Sequence, residues 1–186
     1  MTDATLSTVE AARQQWDVIV VGAGPAGSSA ALLLARAGRR VLLVDRDSFP
    51  RVKTCGCCLN ARALAALDAL GIAARLQEER FAHQHTMVLA VDRNRVEVPF
   101  HTCRTISRAR LDTILLEAAI EAGAHFIDRA SVIDTTLQCP IRTARIRRDG
   151  AITELQSQLV LLASGLGAPV ARRALGSDLV AHEARI

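Results

Sequence analysis

The sequence predicts an α/β fold: a parallel β-sheet carrying a three-stranded antiparallel meander. Two observations predict it. Near the start, a short apolar run at residues 17–21 (DVIVV) meets a glycine-rich turn, an Ala- and Leu-rich segment, and a second apolar run at 41–45 (VLLVD). Strand, turn, helix and strand within about 30 residues make a βαβ unit. Further along, three segments of strand character are separated by short turns at Pro140 and at Asp149-Gly150. Asp-Gly between alternating runs is a hairpin signal.

Each element follows from its pattern. Residues 1–16 include Asp3 and Glu10 and no apolar stretch of the kind a signal peptide needs, so they read as a loose N-terminal extension. The nearly all-apolar run 17–21 suits a strand buried on both faces. Residues 28–36 (SSAALLLAR) read as helix, with Gly38 as its stop, and 41–45 as the second buried strand. A loop with Pro50 and Gly56 covers 46–58. A helix at 59–70 (LNARALAALDAL) ends at Gly71, and two strands at 87–91 and 96–100 flank a turn at Asn94. Residues 107–122 form a strong helix with Leu111, Ile114, Leu115, Ala118 and Ala119 on one face, Ser107 as N-cap and Gly123 as the stop. A third parallel strand is expected at 125–127. The meander occupies 132–138, 141–148 and 152–158, and another buried parallel strand lies at 159–163 (LVLLA), before Ser164-Gly165.

Composition narrows the classes. A chain of 186 residues with 50% apolar content is globular, long enough for one real core and short for two. The net charge of +4 comes from arginines spread along the chain, so it is no nucleic-acid footprint. Arg142, Arg145, Arg147 and Arg148 are the densest group and read as the exposed face of a strand and its turn. Aromatics at 3%, with no Tyr, exclude a base-stacking surface. The five cysteines are odd in number, and Cys55, Cys57 and Cys58 are crowded together. That is no disulfide framework and suits a reducing, cytoplasmic setting. No apolar run reaches the roughly 18 residues of a transmembrane helix.

The chemistry concentrates in Gly22-Ala23-Gly24-Pro25-Ala26-Gly27, which fits G-x-G-x-x-G between a strand and a helix. The first glycine permits the tight turn, the second admits a pyrophosphate to the backbone, and the third allows close helix–strand packing. The helix N-terminus adds free N–H groups and the positive end of its dipole. Asp45 ends the second strand, where a carboxylate can accept from ribose hydroxyls. Its bland alternative is a solvated strand-end carboxylate. On these residues NAD fits as well as FAD, and Arg46 beside Asp45 could meet a 2′-phosphate, as in NADP.

From residue 17 to about 174 the chain resembles the flavoprotein monooxygenase superfamily, in its geranylgeranyl reductase-like and flavin-halogenase-like branches. The segments that carry the resemblance are DVIVVGAGPAGSSAALLLARAG with VLLVDR; DSFPRVKTCG, similar to the F-P-R-x-K-x-C-G loop; ISRARLDTILLEAA, similar to R-x-x-L-D-x-x-L; and LVLLASGLGAPVARRAL. The resemblance implies a Rossmann-like FAD domain of the GR2 type, with an inserted substrate region starting at about 80–105. It implies FAD as cofactor, NAD(P)H as reductant and a small, apolar substrate. By position, Gly22, Gly24, Pro25, Ala26 and Gly27 would lie on the pyrophosphate, Asp45 on the ribose with Arg46 beside it, and Val132 against the adenine. Arg108 would lie near the pyrophosphate, and Ser164 and Gly165 at the cofactor. Arg51, Lys53 and Cys55 would approach the flavin and substrate side, with Lys53 and Cys55 the candidates for catalysis. Two departures stand out. Ser164-Gly165 replaces the family's D-G, so a carboxylate is missing. The family's second G-D motif is absent, so the chain reads as a truncated, N-terminal part whose missing C-terminal half, or a second chain, would complete it.

Other readings stay open on the residues. Cys55 and Cys58 make C-x-x-C without a second pair, so a metal site is not expected. The leading reading of the cluster is small residues tolerated where the backbone passes close to a cofactor, ahead of a thiol at the flavin or a redox dithiol. Arg108 could simply pair with Asp112 at i+4. The expected activity is that of an FAD-dependent oxidoreductase, monooxygenase-like or prenyl-reductase-like. The alternatives are an NAD(P)-dependent oxidoreductase and a non-catalytic FAD-binding module. Nucleic acid is not an expected partner; peripheral contact with a membrane is compatible with an apolar substrate.

Overall fold

The computed structural model describes residues 5–54, 58–77, 82–83, 85–99 and 103–165. In chain order these form α1 (Thr8–Ala12), β1 (Gln15–Val21), α2 (Pro25–Arg36), β2 (Val41–Val44), β3 (Cys58–Asn60), α3 (Ala61–Ala69), α4 (Ala73–Gln77), β4 (Ala82–His83), β5 (Thr86–Val91), β6 (Asn94–Pro99), β7 (Cys103–Thr105), α5 (Arg108–Glu121), β8 (His125–Ile127), β9 (Ser131–Gln138), β10 (Ile141–Arg148) and β11 (Ala151–Leu162). The chain divides into two compact units. One comprises Met1–Phe49 and Leu116–Ile186, the other Pro50–Leu115.

The first unit is built on a six-stranded sheet in the order β8-β2-β1-β11-β10-β9. β8, β2, β1 and β11 run parallel, and β10 and β9 are antiparallel to their neighbours. The α/β class and the meander are therefore as the sequence predicts. β1 and β2 are inner strands, which explains their unbroken apolar runs: all four residues of β2 and the last four of β1 are buried. α2 packs against β1 and β2 through Gly27, Ser28, Ala31, Leu32 and Ala35, the small and apolar positions at helical spacing. Burying a side chain such as Leu32 contributes about 2–3 kcal/mol. The helix starts at Pro25, three residues before the predicted start, because proline suits the first helical position. It stops at Gly38, whose φ of 72° lets the Arg39 N–H donate back to the Leu34 carbonyl at 3.1 Å.

Two sequence expectations change here. Residues 5–16 are no loose extension. Ser7 and Glu10 form a reciprocal capping box on α1, and the Leu6 N–H donates to the Phe126 carbonyl at 2.9 Å, so this segment lies along the exposed edge of β8. Trp16 anchors it: the indole is 2% exposed, donates Nε1–H to the Ala11 carbonyl at 3.0 Å, and meets His125 edge-on. The predicted strands at 152–158 and 159–163 are one element. β11 pairs antiparallel with β10 over Ala151–Ser157 and parallel with β1 over Gln156–Leu162, so Gln156 and Ser157 have strands on both sides. With no glycine or proline between 151 and 162, nothing in the chain interrupts it. At the other end, Asp149 (φ 49°) and Gly150 (φ 82°) make the expected two-residue hairpin turn.

The second unit holds a three-stranded sheet, β3-β7-β4, and a separate hairpin, β5-β6. Leu67, Ile72, Leu76, Leu111, Ile114 and Leu115 of this unit are buried, and α3 packs on α4. α3 starts at Ala61, because Asn60 caps it by accepting from the Ala63 N–H at 2.9 Å, and Leu59 belongs to β3. Ser107 caps α5 as predicted, its Oγ accepting from the Arg110 N–H at 3.2 Å. The turn expected at Asn94 is formed by Asp92 and Arg93 instead, since Val91 pairs with Asn94 and Asp92 takes the left-handed conformation (φ 54°) that aspartate tolerates.

Ser157 is 3% exposed, and its Oγ has no hydrogen-bond partner. An unsatisfied buried hydroxyl carries a desolvation cost that alanine lacks. Ser157→Ala is expected to raise stability by about 1 kcal/mol, read as a higher midpoint in urea with an unchanged slope.

Candidate functional site

In the first unit the C-terminal ends of β1, β2 and β11 converge on the glycine turn. Gly22 leaves β1 with its N–H donating to the Val44 carbonyl of β2 at 2.8 Å. On the other side, Ala163 N–H donates to the Val21 carbonyl at 2.8 Å and brings Ser164 alongside. Glycine is required at position 22 twice over. Its φ is 103°, and a Cβ would lie 2.6 Å from the Ala163 carbonyl oxygen. At Gly27 a Cβ would run into the Gly22 carbonyl oxygen, so this glycine sets how closely α2 approaches the turn. The Ser28 hydroxyl donates to the Ala23 carbonyl at 3.2 Å and pins the turn to the helix.

The end of α2 suits an anion. Gly24 is the N-cap and supplies no side-chain cap, and Pro25 at the first helical position has no N–H to satisfy. The amides of Ala26 and Gly27 precede the first intrahelical donor, Ser28, whose N–H donates to the Gly24 carbonyl. Ala26 is exposed, so the positive end of the helix dipole opens to solvent.

Asp45 is 4% exposed, which sets aside the reading of a solvated carboxylate. Its Oδ2 accepts from the Ala23 N–H at 2.6 Å and its Oδ1 from the Asp47 N–H at 3.0 Å. Its backbone carbonyl accepts from Ala130 N–H at 2.9 Å, so one residue joins the glycine turn, β2 and the β8–β9 connection. Arg46 is mostly exposed, with its Nε 3.9 Å from Asp47. Val132, buried at 7%, lies on the edge strand β9 two residues after Ala130. The unit thus gathers Gly22, Gly24, Pro25, Ala26, Gly27, Asp45, Arg46, Ser164 and Gly165 at one end of a parallel sheet, the place where open α/β sheets take ligands. Sequence reasoning missed Ser28, Ala130 and Ala163, because their parts depend on backbone proximity between distant segments.

The second unit contains the other candidates. Asp112 is fully buried on α5 and accepts from Arg108 through Nε at 2.8 Å and Nη2 at 3.0 Å, the i+4 pairing the sequence allowed. Arg51, from the F-P-R segment, places its Nη2 3.3 Å from the same carboxylate. Nothing local in the sequence announces that contact across 61 positions. Lys53 is exposed. Cys55, Gly56 and Cys57 lie outside the described residues, so the structure is silent on the thiol and dithiol readings there. Cys58 is exposed on β3 and Cys103 buried on the adjoining β7. Burial raises the Cys103 thiol above its ordinary pKa, and its hydrogen bond with Cys58 adds to the rise. Among the described residues no three His, Cys, Asp or Glu side chains gather as a metal site would need. Nor is any described helix long and apolar enough to cross a membrane.

This combination of a glycine turn, an uncapped helix N-terminus and a buried strand-end acid on a parallel sheet with a meander is that of a dinucleotide-binding flavoprotein domain. The chain belongs to the FAD-binding domain family, whose model matches residues 15–186. FAD is therefore the cofactor to set against this site, and the uncapped amides and glycine cradle fit its pyrophosphate. The chain is 38% identical over 151 residues to a menaquinone reductase of Mycolicibacterium smegmatis, covering 78% of this chain and 36% of that protein. It is 34% identical over 168 residues to a probable electron transfer flavoprotein-quinone oxidoreductase of Escherichia coli, covering 85% and 38%. In structure it is similar to the myxobacterial chondrochloren halogenase, an FAD-dependent halogenase, with TM-score 0.77 and 25% identity over 86% of this chain and 39% of that one. The chain thus spans 36–38% of the length of these two curated relatives.

Two substitutions test the geometry without cofactor. Asp45→Asn keeps the shape but replaces a charge-assisted acceptor of two backbone donors. It is expected to cost about 2 kcal/mol, read from chemical denaturation of the apo-protein. Asp112→Ala leaves the Arg51 and Arg108 guanidiniums without their shared carboxylate. The expected loss is about 3–5 kcal/mol, and a change below 1 kcal/mol would show that solvent already screens the cluster.

Proposed function

We propose that the chain is the FAD-binding part of an FAD-dependent oxidoreductase acting on a small apolar substrate of the quinone class. The observation that carries the reading is the glycine turn sealed to Asp45 at the ends of three parallel strands, in a chain of the FAD-binding domain family. The substrate class is suggested by the relatives, one named as a menaquinone reductase and one as a quinone oxidoreductase. NAD(P)H is the proposed reductant.

Gly22, Gly24, Pro25, Ala26 and Gly27 would hold the pyrophosphate, with the Ala26 and Gly27 amides donating. Asp45 would accept from the adenosine ribose, with Arg46 beside it and the Val132 backbone at the adenine. Ser164 and Gly165 would border the cofactor, Ser164 offering a hydroxyl in place of the family's carboxylate. Arg108 would serve the pyrophosphate, while Arg51, Lys53 and Cys55 would face the flavin and substrate; these four assignments rest on the resemblance of their motifs. Bound FAD would supply the redox chemistry, and the chain would orient it and exclude water. The family match weighs against the NAD(P)-dependent alternative on this turn. Ser164 favours a second reading, a non-catalytic FAD-binding module, because the missing carboxylate removes a charge that the family keeps there.

The purified chain is expected to retain the visible absorption bands of oxidised flavin through gel filtration and to bind FAD in preference to NADPH. Bleaching of those bands by NAD(P)H and their return on adding a menaquinone would support the oxidoreductase. Stable flavin that neither reductant nor quinone alters would favour the non-catalytic module. Protein that stays colourless after incubation with FAD would overturn both.

A further inference from the structure

Three described residues other than glycine have positive φ: Asp92, Arg129 and Asp149. Asp92 and Asp149 sit in two-residue hairpin turns and are of the residue type that tolerates the left-handed region. Arg129, at φ 51°, is neither. It lies in the connection from β8 to β9, at the C-terminal end of a parallel strand, one residue before Ala130, whose N–H donates to the Asp45 carbonyl at 2.9 Å. Its conformation is imposed from both sides. Ala130 is tied to Asp45, and Asp128 is tied to Arg148 through an Oδ1 contact of 2.8 Å. Long side chains pay a steric penalty in this region, so such residues persist where the surroundings over-determine them, often at binding sites.

The side chain held there is available. It is 60% exposed, and its Nε keeps only a 3.4 Å contact with Asp128 Oδ2, a carboxylate already engaged by Arg148. The next strand over ends in Asp45, where a dinucleotide places its adenosine ribose. An exposed planar guanidinium beside that position can stack on a purine face.

We propose that Arg129 recognises the adenosine moiety of FAD, the β8–β9 connection holding it in a left-handed conformation at the strand ends for that purpose. The inference rests on the reading that the glycine turn holds FAD. The test uses the full chain and three probes, FAD, ADP and FMN, with Arg129→Gly as the variant. Glycine adopts φ 51° without strain, so the apo-protein is expected to melt at the same temperature or higher. The dissociation constants for FAD and ADP are expected to rise about tenfold, and the response to FMN, which has no adenosine, to stay unchanged. Arg129→Lys, which keeps charge but not the planar fork, is expected to fall on the weak side of the wild type. Unchanged FAD and ADP affinity in Arg129→Gly, with wild type binding both, would overturn this inference alone. So would a lower apo melting temperature, which would assign Arg129 to packing. Wild-type protein that binds neither FAD nor ADP would overturn the underlying reading of the site as well.

Discussion

The hydrogen bond from the Ala23 N–H to the buried Asp45 carboxylate fixes the geometry on which the rest of the site depends. A carboxylate 4% exposed would be costly if left bare, so the two backbone donors it collects are a condition of its burial. Holding the turn also holds Gly22 against Ala163 and Gly27 against Gly22, contacts with no room for a Cβ. The turn, the start of α2 and the end of β11 are thereby one rigid object. Amides already aligned in this way lose little freedom when an anion arrives.

How much of this was legible in the sequence follows the range of each interaction. β1, α2, β2, the cap at Ser107 and the Asp149-Gly150 hairpin are written in local patterns of period, cap and turn, and the structure has them within a few residues. The glycine turn and Asp45 were legible as a motif, but the burial of Asp45 and its bond to Ala23 were not, since they require β1 and β2 to lie side by side. The Arg51–Asp112 pair joins segments with no common pattern. The folding of residues 5–16 turns on Trp16, a single large side chain whose burial outweighs the polar look of its neighbours. β11 appeared as two strands because its burial changes along its length, from alternating beside β10 to more uniform beside β1, while the backbone never breaks.

Edge protection accounts for another part of the design. β8 is three residues long and lies at one edge of the six-stranded sheet, with Thr5 and Leu6 along it. β9 forms the other edge, and the β8–β9 connection carries Asp128, Arg129 and Ala130 past the end of β2. A connection that short must turn sharply, and Arg129 rather than a glycine takes the left-handed turn. An ordinary loop would be more stable with glycine there, so the retained arginine is the local inconsistency that most needs a reason.

The two buried acids, one in each unit, are accommodated in different ways. Asp45 accepts from the backbone N–H groups of Ala23 and Asp47, so amide dipoles face its carboxylate. Asp112 meets the guanidiniums of Arg51 and Arg108 near the start of α5. Each arrangement offsets the cost of burying a bare carboxylate, one with the dipoles of backbone amides and the other with full opposite charge.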